Sequence, residues 1–396
     1  MSECIPFGRA LKPYFMLDEK YVSVNNASSG VVCVPAFQRH LQLLEESEKV
    51  QDLQTRYRLP KLAEKTMDQL AELLDTSPNN LAFCFSATQA ISSILLTFPW
   101  IANDRILTLN LAYPTCQFAV DFVQDRYDVQ MDTIDIDFAY DRSELLSRVE
   151  SYLAKNKPRL FIFDFVTSMP VIQLPCKELI QLCKKYNVIS VIDAAHGIGL
   201  SPLSMSSLDP DFLYTNAHKW LNAPSGTTIL YVSKKYHNSI EALPISYGYH
   251  IRKQKSPPPA PLNARFLYAS STDLPKFIAI DAAIAFRKSI GGEHKIQNYN
   301  YDIIIKGAKI IAEALGTSYF VLAPPIAMVN VEIPLRRMPS AEFFEYFWQS
   351  KNTFLRFVEY HGKFYTRIAG APFLEESDFV YIAGVLKELC QNSPEN

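Results

Sequence analysis

VISVIDAAHGIG (Val188–Gly199) and FLYTNAHKW (Phe212–Trp220) each carry an apolar, β-branched and aromatic strand into a polar end. The first ends in Asp193 and His196, the second in His218 and Lys219. Strands buried on both faces read as continuous hydrophobic runs of this kind. Outward from them lie LAFCF (Leu81–Phe85), RILTLN (Arg105–Asn110), RLFIFDFV (Arg159–Val166) and TTILYVS (Thr227–Ser233). Helical patterns such as PCKELIQLCKKY (Pro175–Tyr186) separate the runs. The alternation predicts crossover units and an α/β fold on a largely parallel sheet covered on both faces. Ligands of such sheets gather at the carboxyl ends of the strands, where Asp193 and Lys219 sit.

The 396 residues exceed one typical domain, so two compact units are expected. With 39 Lys plus Arg against 41 Asp plus Glu, the net charge of -2 offers no basic field for nucleic acid or anionic lipid. Hydrophobic residues make up 48% of the chain and charged ones 20%, which is enough apolar material for a large core. The seven cysteines form no C-x-x-C pair, which points to reduced thiols in the cytoplasm, with the nucleus also open. MSECIPFGRALKPYF at the N-terminus lacks the apolar stretch of a secretion signal, and QNSPEN at the other end matches no retention address. The uncharged stretch Leu81 to Asn103 is interrupted by Ser86, Thr88, Gln89, Ser92, Ser93 and Pro99, so it reads as strand, turn and buried helix rather than membrane span.

KQKSPPPAPLN (Lys253–Asn263), with four prolines, is expected to be a loop. A helical zone from Pro275 to Ala314 precedes strands near Ala327–Ile333, Phe354–Tyr360 and Lys363–Ile368. The expected division is an N-terminal segment 1–20, a large domain 21–274 and a small C-terminal domain 275–396. There is no G-x-G-x-x-G, Walker loop, G-x-S-x-G, H-E-x-x-H or zinc-like cysteine spacing, so no metal site is expected.

A lysine amine at a desolvated strand end loses its proton and condenses with an aldehyde. An aspartate on the same rim keeps a pyridine nitrogen protonated, making the ring an electron acceptor. Asp193 and Lys219 supply the two halves of pyridoxal 5'-phosphate chemistry. Singly, Asp193 serves equally well as a loop cap and Lys219 as a surface amine beside Trp220. The stretch NLAFCFSATQAISSILL (Asn80–Leu96) adds a strand running directly into a helix start. There Ala87, Thr88 and Gln89 would present free N–H groups and the positive end of the helix dipole to the cofactor phosphate. Ordinary capping by Ser86 or Thr88 is the alternative.

The order S-A-T-Q (Ser86–Gln89), D-A-A-H (Asp193–His196), N-A-H-K-W (Asn216–Trp220) resembles the class V aminotransferase superfamily of fold-type I pyridoxal phosphate enzymes, in its isopenicillin-N-epimerase-like branch. FGRALKPYFMLDEKYVSVNNASSG (Phe7–Gly30), YRLPKL (Tyr57–Leu62) and ASSTD (Ala269–Asp273) extend the likeness across most of the chain. Within the branch the chain is most similar to the fungal hercynylcysteine sulfoxide lyases. The resemblance implies a mostly parallel seven-stranded sheet in the large domain, a smaller C-terminal α+β domain, and a homodimer with shared active sites. It makes Lys219 the Schiff-base lysine and proton shuttle, Asp193 the pyridine-nitrogen partner and His196 the partner of the ring hydroxyl. Tyr113 would stack on the cofactor and protonate a leaving group; Thr215, Asn216 and His218 would contact the cofactor near the lysine. Thr272 would reach a neighbouring subunit's phosphate, and Arg367 would grip the substrate carboxylate with its planar fork. Asp164, Thr167 and Ser168 end another strand close enough to line the pocket. Where the family carries N-H-G-S-F-G, this chain has Asn25, Asn26, Ala27, Ser28, Ser29 and Gly30, which leaves substrate recognition by Asn25 and Asn26 open.

Among the reactions of the superfamily, cysteine desulfuration needs a thiolate on a loop after the lysine. Only Cys390 follows Lys219. Transamination and epimerisation stay open, as does a non-catalytic cofactor-binding protein. Elimination matches best: a carbon–sulfur lyase that releases a sulfenic acid on the way to ergothioneine, with pyruvate and ammonia from the remainder. Tyr14, Tyr57 or Tyr247 would face the trimethylammonium of the small-molecule substrate by cation–π attraction.

Overall fold

The computed structural model describes residues 5–138, 140–253, 261–267, 271–321 and 324–392. Most of the expected loop at Lys253–Asn263, and Ala269 and Ser270 of the ASSTD segment, lie outside the described residues.

The main sheet has seven strands: β1 (Leu81–Cys84), β2 (Arg105–Leu109), β3 (Gln130–Ile134), β4 (Leu160–Asp164), β5 (Ile189–Asp193), β6 (Phe212–Asn216) and β7 (Thr228–Val232). Their order is β1-β7-β6-β5-β4-β2-β3, with β7 antiparallel to both neighbours and the remaining pairs parallel. The chain is thus an α/β protein on a mostly parallel seven-stranded sheet, as expected. The central strands β4, β6 and β7 are buried along their whole length, because helices cover both faces and every side chain meets apolar surface. Register sets Asp164 beside Asp193 and Asp193 beside Tyr214, so three polar side chains meet at the carboxyl ends of adjacent strands.

The expected helical zone resolves into three helices, Pro275–Ile278, Ile280–Ser289 and Glu293–Leu315. They lead to a second, antiparallel sheet of β8 (Tyr319–Phe320), β9 (Met328–Ile333), β10 (Phe357–Tyr360) and β11 (Lys363–Ala369), ordered β10-β11-β9-β8. The N-terminal stretch packs on this region: the Val22 amide donates to Asn352 O (2.7 Å) and the Ala369 amide to Val24 O (2.7 Å). Buried Arg287 fastens the main sheet's rim to the helices, donating to Trp220 O (2.7 Å), Asn222 Oδ1 (2.9 Å) and both oxygens of Glu293. Among the described residues no helix is long and apolar enough to cross a membrane.

Candidate active site

Two cavities that share Ser28, Tyr113, Ser168, His218 and Lys219 open at the carboxyl ends of β4, β5 and β6. The inner one, about 200 Å³, is lined by Ala87, Thr88, Asp164, Asp193, His196 and Asn216 among others. The outer one, about 860 Å³, brings in Asn25 and Arg367.

Lys219 sits in the short helix Ala217–Trp220 that follows β6. Its backbone is clamped from the N-terminal segment. Asn26 Nδ2 donates to Lys219 O (3.3 Å), and a side chain at Gly30 (φ 75°) would place its first carbon 1.8 Å from His218 O. Only glycine permits both that backbone angle and that approach. Burial pulls the Lys219 pKa down to about 8, reinforced by Arg367 and opposed by the Asp193 charge. A minor but appreciable fraction of the amine, far more than for an ordinary lysine, is therefore neutral near physiological pH. A measurable consequence is that cofactor capture by protein stripped of its cofactor should accelerate about tenfold per pH unit below 8 and level off above it. The rate at which visible absorbance returns between pH 6 and 9 checks this, and a flat profile would contradict it.

The Lys219 amine lies 3.4 Å from His196 Nε2. On the other side of the imidazole, Trp220 Nε1 donates to His196 Nδ1 at 3.2 Å. An indole N–H can only donate, so Nδ1 is the acceptor and the neutral ring keeps its proton on Nε2. Burial depresses the His196 pKa well below the ordinary value, and the Lys219 charge adds to this, which keeps the ring neutral. His196 thus presents a fixed N–H donor to the cavity. His218 is oriented by its own contact, Nδ1 to Thr227 O at 2.9 Å.

Asp193 is buried beside Asp164, which is also buried, and burial raises both pKa values. Asp164 is raised further by the Asp193 charge, while the Ala195 amide (2.9 Å to Asp193 Oδ1) and Lys219 favour the Asp193 carboxylate. The pair therefore shares its protons unequally: Asp164 holds one and Asp193 is the member that ionises. Tyr214 and Cys116 close the floor, and burial raises both of their pKa values.

At the end of β1, Ser86 caps the helix Ala87–Thr97 by accepting from the Gln89 amide (3.0 Å). Ala87 and Thr88, at the first positions, line the inner cavity, and no intrahelical carbonyl can reach their amides. A flat ring with a phosphate tail fits this arrangement: free amides for the phosphate, a buried carboxylate below, an amine and an imidazole donor beside it.

Arg367, from β11, enters the outer cavity 2% exposed. Its Nη1 donates to Ser168 O (3.0 Å) and Oγ (3.1 Å), and its Nη2 to Asn25 Oδ1 (3.0 Å) and Ser28 Oγ (2.9 Å). All four contacts are neutral, and the buried Nε–H has no partner. A buried cation without an anion is costly, so the position is suited to receiving a carboxylate.

Not every expected site residue reaches a cavity. Gln89 braces the strand end, accepting from the Phe85 amide (2.6 Å) and donating to Leu243 O, because its own amide is consumed by the cap. The Thr167 hydroxyl accepts from the Ile172 amide (2.8 Å) and donates to Pro170 O (2.5 Å), and the Thr215 hydroxyl accepts from the Ile198 amide (2.9 Å). Asn26 holds the Lys219 backbone rather than lining a wall, and Thr272 lies outside both cavities. Tyr14, Tyr57 and Tyr247 also line neither; Tyr21 and Phe354 are the aromatics of the outer wall apart from Tyr113. The sequence reading missed Trp220 as the orienter of His196, Tyr214 in the floor and Ser28 beside Arg367. Trp220 and Tyr214 stood inside the quoted motif, and Ser28 falls on the serine of the family's N-H-G-S-F-G, the signal that could have found it. No cluster of metal-ligating side chains occurs among the described residues.

The aminotransferase class-V family model matches residues 43–332. A hercynylcysteine sulfoxide lyase of Schizosaccharomyces pombe is 50% identical over 390 residues, covering 98% of this chain and all of the relative. The isopenicillin N epimerase of Streptomyces clavuligerus is 25% identical over 290 residues, 70% of this chain and 71% of the relative. Among solved structures, a C-DES mutant with glycine covalently linked to its PLP cofactor superimposes with a TM-score of 0.81 at 16% identity, covering 93% of this chain and 96% of that one. The cysteine desulfurase of Thermococcus onnurineus gives 0.79 at 14% identity, covering 97% and 98%. With its family match spanning most of the sequence and its fold shared with these enzymes, the chain belongs to the class-V aminotransferases.

Proposed function

We propose that this protein is a pyridoxal phosphate-dependent carbon–sulfur lyase acting on hercynylcysteine sulfoxide, releasing a sulfenic acid that is reduced to ergothioneine, with pyruvate and ammonia as co-products. The observation that carries the reading is a desolvated lysine and an anion-seeking buried arginine facing one cavity, in a chain half identical to a lyase of that name. Among the described residues the cavities supply no exposed thiol for persulfide chemistry: Cys116, in the inner one, is 2% exposed with its pKa raised well above the usual value.

Pyridoxal phosphate, when bound, supplies an electron sink conjugated to the substrate α-carbon. The residues that would hold it are Ala87 and Thr88 at the phosphate, Asp193 at the ring nitrogen, and His196, whose Nε2–H would donate to the ring hydroxyl. The chain's own groups do the rest. Arg367 holds the substrate carboxylate and fixes the α-carbon over Lys219. The neutral Lys219 amine removes the α-proton, and its lowered pKa makes it an effective base near pH 8. Tyr113, on the wall common to both cavities, would give a proton to the oxygen of the departing sulfenate. Tyr113→Phe should lower kcat for pyruvate release by roughly 10²-fold with little change in KM. An unchanged kcat would leave Tyr113 with stacking alone, and an equal loss for a substrate whose leaving group needs no proton would remove its proton-donor role.

The reading carries with it a reducing compartment, cytoplasmic or nuclear, supported by the free thiols of Cys33, Cys84, Cys116, Cys176, Cys183 and Cys390. It also carries a homodimer in which Thr272 serves the partner. Incubation with hercynylcysteine sulfoxide and a thiol reductant, followed by mass analysis, tests the function. Ergothioneine and pyruvate in equal amounts are expected; a keto acid retaining sulfur, or an inverted amino acid, would replace lyase by aminotransferase or epimerase.

A further inference from the structure

Among the described residues, the outer cavity presents Lys219, Arg367 and Arg356 on its wall and not one aspartate or glutamate. One arginine for the α-carboxylate is expected of an amino-acid enzyme; two arginines without a counter-charge are not. Arg356 lies one residue before Phe357, which pairs with Thr366 in the β10–β11 hairpin. The Thr366 hydroxyl donates to Arg356 O at 2.8 Å, and one further step of that register sets Arg356 opposite Arg367. Like charges opposed across an antiparallel pair repel. The Arg356 charge is felt at Arg367, where it adds to burial in lowering the pKa to about 10. Arg356 is exposed, and among the described residues it has no carboxylate partner. Tyr21 and Phe354 line the same cavity, and aromatic rings attract a quaternary ammonium.

We propose that Arg356 is a specificity-determining residue that binds a second carboxylate, at the far end of the sulfur substituent. The inference rests on the function proposed above: hercynylcysteine sulfoxide bears a cysteine carboxylate and, beyond the imidazole, a betaine carboxylate beside its trimethylammonium. Arg367 takes the first and Arg356 the second, so two anions relieve the repulsion that the free protein carries. Substrates with one carboxylate leave Arg356 unmatched.

The experiment compares kcat/KM for hercynylcysteine sulfoxide with that for S-methylcysteine sulfoxide in the parent, Arg356→Ala and Arg356→Lys enzymes. Arg356→Ala should shrink the ratio of the two by about tenfold to a hundredfold, mainly through KM. Arg356→Lys should restore part of it. Proportional loss on both substrates, or an unchanged ratio, overturns the proposal. If the parent releases pyruvate from neither sulfoxide, the functional reading fails instead. Arg356 is then judged by binding, with lanthionine (two carboxylates) and S-ethylcysteine (one) titrated against the cofactor's visible spectrum. Tighter lanthionine binding that Arg356→Ala abolishes sustains the proposal; equal binding of both by the parent refutes it.

Discussion

Replacing Lys219 by alanine is expected to lower pyruvate formation by at least about 10⁴-fold, because in the proposed mechanism one amine both anchors the cofactor and moves the α-proton. The fold should survive. The Lys219 carbonyl, not its side chain, accepts from Asn26, and the neighbouring backbone is packed against Gly30. The removed group is one whose burial disfavours its own charge, so its loss relieves desolvation. Thermal melting and far-UV circular dichroism of the cofactor-free protein should match the parent. Lys219→Arg separates charge from basicity: guanidinium stays protonated and should be as inactive as alanine. Activity retained by either variant would move the proton transfer to another residue.

Asp193→Asn should cost roughly 10³-fold in kcat while raising the melting temperature of the cofactor-free protein at neutral pH. The activity loss follows because an amide cannot hold a proton on the ring nitrogen by opposite charge. The gain in stability follows from the raised pKa values of Asp164 and Asp193, caused first by burial. Their folded pKa values exceed the unfolded ones, so the folded state binds more protons and stability falls as pH rises above the unfolded carboxylate range. A neutral isostere removes that dependence at one site. The Ala195 amide keeps an acceptor in the asparagine oxygen. The site therefore trades stability for function at this pair. A variant less stable than its parent at neutral pH would show that the Lys219 attraction outweighs burial.

Most of the main sheet was legible because its strands are buried on both faces, so β1, β2, β4, β5, β6 and β7 appear as apolar runs. β3 escaped for the opposite reason: Gln130–Ile134 lies at the sheet edge, with Gln130 and Thr133 exposed, and its sequence QMDTI carries polar residues. β8 is two residues long and has no pattern to read. The Asp193 and Lys219 pair was legible because both end quoted strands whose order in the sheet is adjacent. The support around Arg367 was not, since Ser28 meets it across 339 positions of sequence. Hydroxyls were the weakest readings. Thr167 and Thr215 look like ligand contacts in sequence, yet each satisfies a nearby backbone amide.

The central claim is that Lys219 carries the cofactor as a covalent passenger. Reduction of the coloured protein with borohydride, digestion and mass spectrometry test it directly. The account predicts a single peptide, spanning Lys219, heavier by the reduced phosphopyridoxyl group, with the label abolished by prior addition of substrate amine. Label on any other lysine, or a colourless protein that takes up no label, would contradict it.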